Sequence, residues 1–168
     1  PGTRFMDLLA EEINSVSEQW KLTHPGLQII HSDSHQPGEG EHKIMRHIRE
    51  NRPQVDEQIV IYGLDADLIF LTLGLHHKST YLFRENTFKE SIEDDIPDYL
   101  YLNIGDLRDN VVKLITQEDD LIRLPTSIGQ YPIKEVTEYD SNCLINDYIF
   151  CNFFLGNDFV NRLYCLSI

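Results

Sequence analysis

Long apolar runs are missing from this 168-residue chain, cysteines are few, and positive charge is scarce. No stretch reaches the roughly 18 apolar residues that a membrane-spanning helix needs, and the first residues lack the basic-then-apolar layout of a secretory leader. The expectation is a soluble, intracellular protein, cytoplasmic or nuclear, without membrane contact. Cys143, Cys151 and Cys165 lie near the end of the sequence with no CxxC spacing. That pattern indicates neither a zinc site nor a disulfide framework, and the three read as small apolar residues in a reducing compartment. Only 14 Lys and Arg stand against 28 Asp and Glu, a formal net charge of −14. Such a chain repels nucleic acid at long range. A nucleic-acid enzyme fits this balance only if its acids gather where cations neutralise them and the basic gripping surface lies elsewhere.

What is present suits one globular domain or part of one, with 41% hydrophobic residues to furnish a core. Phe5, Leu8, Leu9, Ile13, Val16 and Trp20 recur at helical spacing, which predicts an amphipathic helix packed on a core. Residues 27–31 read as a short strand, 32–40 as a turn, and the following residues to about 50 as a second helix. The consecutive Ile59, Val60, Ile61 and Tyr62 suit a strand covered on both faces, as in a parallel sheet. A helix over about 66–76 and a strand over 80–83 follow. Residues 85–98 form an acidic connection, 100–115 return to regular structure, and about 116–142 reads as an irregular insertion. The nearly all-apolar stretch 144–155 predicts a buried helix ended by Gly156. This alternation favours an α/β fold, whose ligands gather beyond the carboxyl ends of the strands.

Three acidic turns abut apolar structure. In the first, Glu39 and Glu41 flank Gly40 immediately before a helix, and a helix starting near Gly40 puts Glu41 on the face of Ile44, Met45 and Ile48. A carboxylate facing inward must be paired, protonated or metal-bound. The plainer alternative is that both acids complement the positive end of the helix dipole. In the second, Asp65 and Asp67 follow the apolar strand directly; Asp65 reads equally well as a helix cap, whereas Asp67 sits among Leu64, Leu68, Ile69 and Phe70. In the third, Asp158 follows the apolar helix through Gly156-Asn157, where turn chemistry alone is a sufficient account. Taken together, three such turns with little basic charge to pair them make shared cations the more economical account. Mg²⁺ takes oxygen ligands and is held by few carboxylates, so five acids suit two ions, the arrangement that cleaves phosphodiesters in line.

The segments PGEGEHKIM (37–45), GLDADLI (63–69) and FLGNDF (154–159), in that order, resemble the signatures of the XRN exoribonucleases, with weaker similarity at PGTRFM (1–6) and YLYLNIGDLRDNV (99–111). The resemblance implies a PIN-like, flap-nuclease-like, mostly parallel sheet flanked by helices and incomplete at both ends, the whole chain forming part of one nuclease domain. It implies 5′-to-3′ hydrolysis of single-stranded RNA carrying a 5′ monophosphate, with two Mg²⁺ or Mn²⁺ ions held by Glu39, Glu41, Asp65, Asp67 and Asp158. Further acidic ligands and the basic 5′-phosphate pocket are expected upstream of the first residue. Lys43 and Arg46 are candidate RNA contacts, although charges on a helix face are more often plain solvated surface. Two alternatives stand beside this reading: a structure-specific flap DNA nuclease with the same carboxylate chemistry, and an inactive scaffold module.

Overall fold

Thr3 starts the first helix by accepting a bond from the Met6 amide, and the helix α1 (Arg4–Thr23) ends just before Pro25-Gly26. The coordinates are a computed structural model that describes residues 2–87, 97–116, 127–128, 131–132, 140–156 and 161. They divide into two compact units, residues 1–52 and 53–168.

In the first unit, α1 carries the expected stripe, but the stripe is not buried. Phe5 is 70% exposed and Trp20 56%, and Ala10 is the helix's only buried residue. The expectation that α1 packs on a core is corrected. Two helices and a loop supply too little apolar surface within this unit to cover so broad a face. The expected strand over 27–31 is also absent; the segment runs without ladder bonds, with Leu27 and Ile30 exposed. A strand needs an edge to satisfy its amides and carbonyls, and no other strand forms among the described residues of this unit. The second helix, α2 (Gly40–Asn51), starts where the acidic turn predicts. Its Met45 is fully buried, and it stops at Arg52 in the left-handed region, φ 45°.

The second unit is built on a three-stranded sheet. β1 (Ile59–Tyr62) and β2 (Thr80–Glu85) run parallel, joined through the short helix α3 (Asp67–Leu73), and β3 (Tyr99–Asn103) lies antiparallel on the far side of β2. The fold is α/β as expected, but the sheet is mixed rather than mostly parallel, because the 86–98 connection returns the chain beside β2. The register aligns Ile61 with Leu82 and Leu102 on one face. Against that face pack α3 and α4 (Ile104–Thr116), with α5 (Ser141–Phe153) outside α4. Ile61, Leu68, Leu73, Leu82, Ile104, Val111 and Ile145 make the core, each fully buried large side chain contributing roughly 1.5–3 kcal/mol. Buried Thr72 and Thr80 satisfy their hydroxyls on the Leu68 and His77 carbonyls at 2.6 and 2.9 Å.

Among the described residues nothing covers the other face of the sheet, so the expectation that β1 is covered on both sides is corrected: Val60 and Tyr62 are more than half exposed. Phe83 lies between Tyr99 and Tyr101 there, at ring centroids of 5.1 and 4.6 Å. The expected buried helix likewise forms as α5 but buries only Ile145, with Phe150 61% exposed; α4 packs on it, and Phe70 of α3 meets its Tyr148 at ring centroids of 6.4 Å. Within the expected insertion the structure describes a minimal antiparallel pair, β4 (Ser127–Ile128) and β5 (Tyr131–Pro132). The rest of that stretch up to residue 139 lies outside the described residues.

Candidate functional site

The Asp65–Asp67 turn grows directly out of the sheet. At the end of β1 the Gly63 amide donates to the Phe83 carbonyl at 3.2 Å, which extends the pairing by one residue. A side chain at Gly63 would run into a methyl of the buried Leu68, so glycine lets the chain fold back over the first turn of α3 without displacing Leu68. The Asp67 amide then donates to Asp65 Oδ1 at 3.1 Å, and the Arg84 guanidinium donates to the Leu64 carbonyl at 3.0 Å. Asp65 therefore closes the turn one residue ahead of the α3 cap, Ala66, with one oxygen, and among the described residues its other oxygen accepts no hydrogen bond. Asp65 is exposed and Asp67 half-buried, and among the described residues neither forms an ion pair with Lys or Arg.

The Glu39–Glu41 turn is held differently. Gly38 takes φ +104°, a left-handed conformation that suits glycine. Upstream, Asp33 forms a local turn by accepting the His35 amide at 3.0 Å, and the Lys43 ammonium donates to the Asp33 carbonyl at 2.8 Å. The His35 ring bridges two carboxylates, Asp33 at 3.2 Å and Asp7 of α1 at 3.1 Å. These contacts raise the His35 pKa, chiefly through its hydrogen bond to Asp33, and the same bond lowers that of Asp33. Glu39 sits at the helix cap without a side-chain cap bond, largely exposed, with His42 Nδ1 at 3.5 Å; Glu41 is half-buried in the first turn.

The structure thus pairs Asp65 with Asp67 in one turn and Glu39 with Glu41 in another, one pair in each unit. Asp158 lies outside the described residues. The described residues of neither unit bring three or more His, Cys, Asp or Glu side chains together as a metal cluster. The donor set itself fits a hard divalent cation, since Asp65 and Asp67 offer carboxylate oxygens that form no ion pair among the described residues, and Mg²⁺ is content with one or two carboxylates and several waters. Of the candidate RNA contacts, Lys43 is half-buried and engaged with the Asp33 carbonyl, and Arg46 is exposed.

Sequence reasoning missed Arg108, which is 8% exposed. Its guanidinium meets His76 Nδ1 at 3.0 Å and donates to Asn142 Oδ1 at 2.7 Å, while His76 Nε2 meets Asn146 Oδ1 at 3.0 Å. Accepting from Arg108 requires an unprotonated Nδ1, so the other ring nitrogen donates to Asn146. The signal was an Arg at an inward position, three residues before Val111 in α4.

Comparison with known proteins places these turns in context. Residues 1–86 match the family described as XRN 5′-3′ exonuclease N-terminus, a span that contains Glu39, Glu41, Asp65 and Asp67. The 5′-3′ exoribonuclease 2 of Candida glabrata is 36% identical, with the whole chain aligned to 18% of the relative's length. That of Saccharomyces cerevisiae is 35% identical over the whole chain and 18% of its own length, and that of Cryptococcus neoformans 36% over 17%. The chain therefore spans under a fifth of these relatives. Among the described residues no helix is long and apolar enough to cross a membrane.

Proposed function

The chain belongs to the XRN 5′-3′ exonuclease N-terminus family, and from that premise we propose that it carries catalytic carboxylates of a divalent-metal-dependent 5′-to-3′ exoribonuclease. The substrate is single-stranded RNA with a 5′ monophosphate. The carrying observation is the Asp65–Asp67 turn: two carboxylates at the carboxyl end of a parallel strand, one half-buried, neither ion-paired with Lys or Arg among the described residues, inside the matched span. The βαβ unit β1–α3–β2 supports a PIN-like arrangement, in which this end of the sheet is the ligand position.

In this reading Asp65, Asp67, Glu39, Glu41 and Asp158 would hold two Mg²⁺ or Mn²⁺ ions, which would supply an activated water and charge neutralisation at the leaving oxygen. The protein's share is positional. Asp65 Oδ1 is fixed by the Asp67 amide, which aims its second oxygen and orders the first turn of α3. Gly63 draws that turn against Leu68, so the carboxylates sit on packed structure rather than on a free loop.

Supplied with 5′-monophosphorylated single-stranded RNA and Mg²⁺, the enzyme releases mononucleotides. Asp65→Asn with Asp67→Asn lowers that rate more than about 100-fold, since losing even a partner of a metal ligand costs roughly 10–100-fold. Circular dichroism checks that the double variant is folded. Hydrolysis retained by it, or flapped DNA cut in preference to RNA, overturns the reading.

A further inference from the structure

In the first unit, α1 and the loop that precedes α2 enclose an open cleft of about 300 Å³. Met6, Leu9 and Ile13 make its apolar floor, and His31, Ser34 and Lys43 stand at its polar rim. The charge at that rim is of both signs, and the two are held differently. The Asp33 carboxylate also lines the cleft, but the His35 imidazole holds it at 3.2 Å. The Lys43 ammonium, by contrast, is anchored on a neutral group, the Asp33 carbonyl, and forms no ion pair with a carboxylate among the described residues. An ammonium has three donors, so two remain for a ligand. The Lys43 stem lies along Gly38, whose missing Cβ would stand 3.9 Å from it. The cation is therefore positioned before any ligand arrives.

An apolar floor with a fixed cation and a hydroxyl at its edge recognises a flat apolar body that carries an anion. A volume of this size is at the lower end of the roughly 300–1,000 Å³ of ligand pockets, enough for one nucleotide and too small for a strand. The Met6 thioether suits the edge of an aromatic ring. We propose that this cleft binds a single nucleoside 5′-monophosphate, the base over Met6, Leu9 and Ile13 and the phosphate at Lys43 and Ser34. The choice of a nucleotide among apolar anions rests on the RNA-hydrolysis reading, which makes this molecule the product.

The test is calorimetric titration of the full chain with adenosine 5′-monophosphate, adenosine and inorganic phosphate, each in chelator so that no divalent ion contributes. The monophosphate binds at least about tenfold more tightly than either part alone, and Lys43→Met weakens it at least about tenfold while leaving adenosine unchanged. Ser34→Ala, which leaves the helices untouched, weakens it in the same direction and guards against a folding defect in the first variant. Phosphate binding as tightly as the nucleotide, binding indifferent to Lys43→Met, or no binding at millimolar nucleotide overturns the proposal. The Asp65→Asn, Asp67→Asn double variant separates the two readings. Nucleotide binding that survives in it while hydrolysis is lost supports both. Absent binding beside intact wild-type hydrolysis sinks the cleft alone, and intact binding beside a wild type that never hydrolyses RNA sinks the nuclease reading and leaves the cleft standing.

Discussion

The Asp65–Asp67 turn and the Glu39–Glu41 turn present the same kind of oxygen donors, yet different forces hold them. The first is continuous with a paired strand and lies against Leu68, which is 2% exposed. The second is tied by side-chain bonds among Asp7, Asp33, His35 and Lys43, with the imidazole 63% exposed. Packing is short-ranged and indifferent to pH and salt, whereas exposed ion pairs are weak and screened. The sheet-borne turn should therefore respond to changes of volume, and the loop-borne turn to changes of charge.

The sharpest way to break that contrast is to attack the packed unit through its buried charge. Arg108→Met strips the donors from His76 and Asn142, leaves polar groups inside the packing of α4 and α5, and lowers stability by about 1–3 kcal/mol in urea unfolding. Arg46→Met on the exposed face of α2 stays within about 0.5 kcal/mol. Equal losses for the two would mean that the units do not differ in how they are held. A subtler pair compares glycines. Gly63→Ala drives a methyl into Leu68 and costs roughly 1–2 kcal/mol, while Gly40→Ala meets nothing within 4 Å and stabilises α2 by about 0.4–1 kcal/mol. Thermal melts of both variants decide, and a destabilised Gly40→Ala would count against the loop account.

The smallest effect is in pH. His35 titrates above its ordinary value of about 6.5, so its contribution is complete below that value and is lost as pH rises through the raised one. Asp33 titrates below the ordinary carboxylate value, so its contribution holds above about pH 4 and is lost as pH falls through the lowered one. The loop is thus best held between about pH 4 and 6.5. Amide exchange over 33–38, corrected for intrinsic rates, speeds up on going from pH 6 to pH 8 and on adding salt, while the Gly63 and Asp67 amides hold steady. A response shared by both turns removes the distinction.

Local signals were legible wherever one residue's chemistry decides a local event. The start of α2 at Gly40, the β1–α3–β2 alternation and the siting of Asp65 and Asp67 after β1 all follow from turn residues, apolar runs and capping rules. What failed were statements about partners. The 27–31 segment has strand composition but no edge to pair with among the described residues, the α1 stripe and most of the apolar α5 stretch stay exposed, and β3 has a strand's residues while its direction depends on where 86–98 brings the chain. Arg108 stands at an inward position of α4, but the partners that let it be buried, His76 and Asn142, are distant in the chain and are met only in the fold.

By itself the sequence determined which residues are acidic, which stretches are helical or extended, and that Gly38 and Gly63 precede the two carboxylate pairs, because backbone preference and hydrophobic period act over a few neighbouring residues. The tertiary structure alone decided that Asp65 spends one oxygen on a backbone amide, that His35 joins Asp7 to Asp33, and that Arg108 is buried. Each of those depends on groups separated along the chain arriving within hydrogen-bond distance. Short-range preference does not encode that arrival; it follows from how much apolar surface each unit can bury.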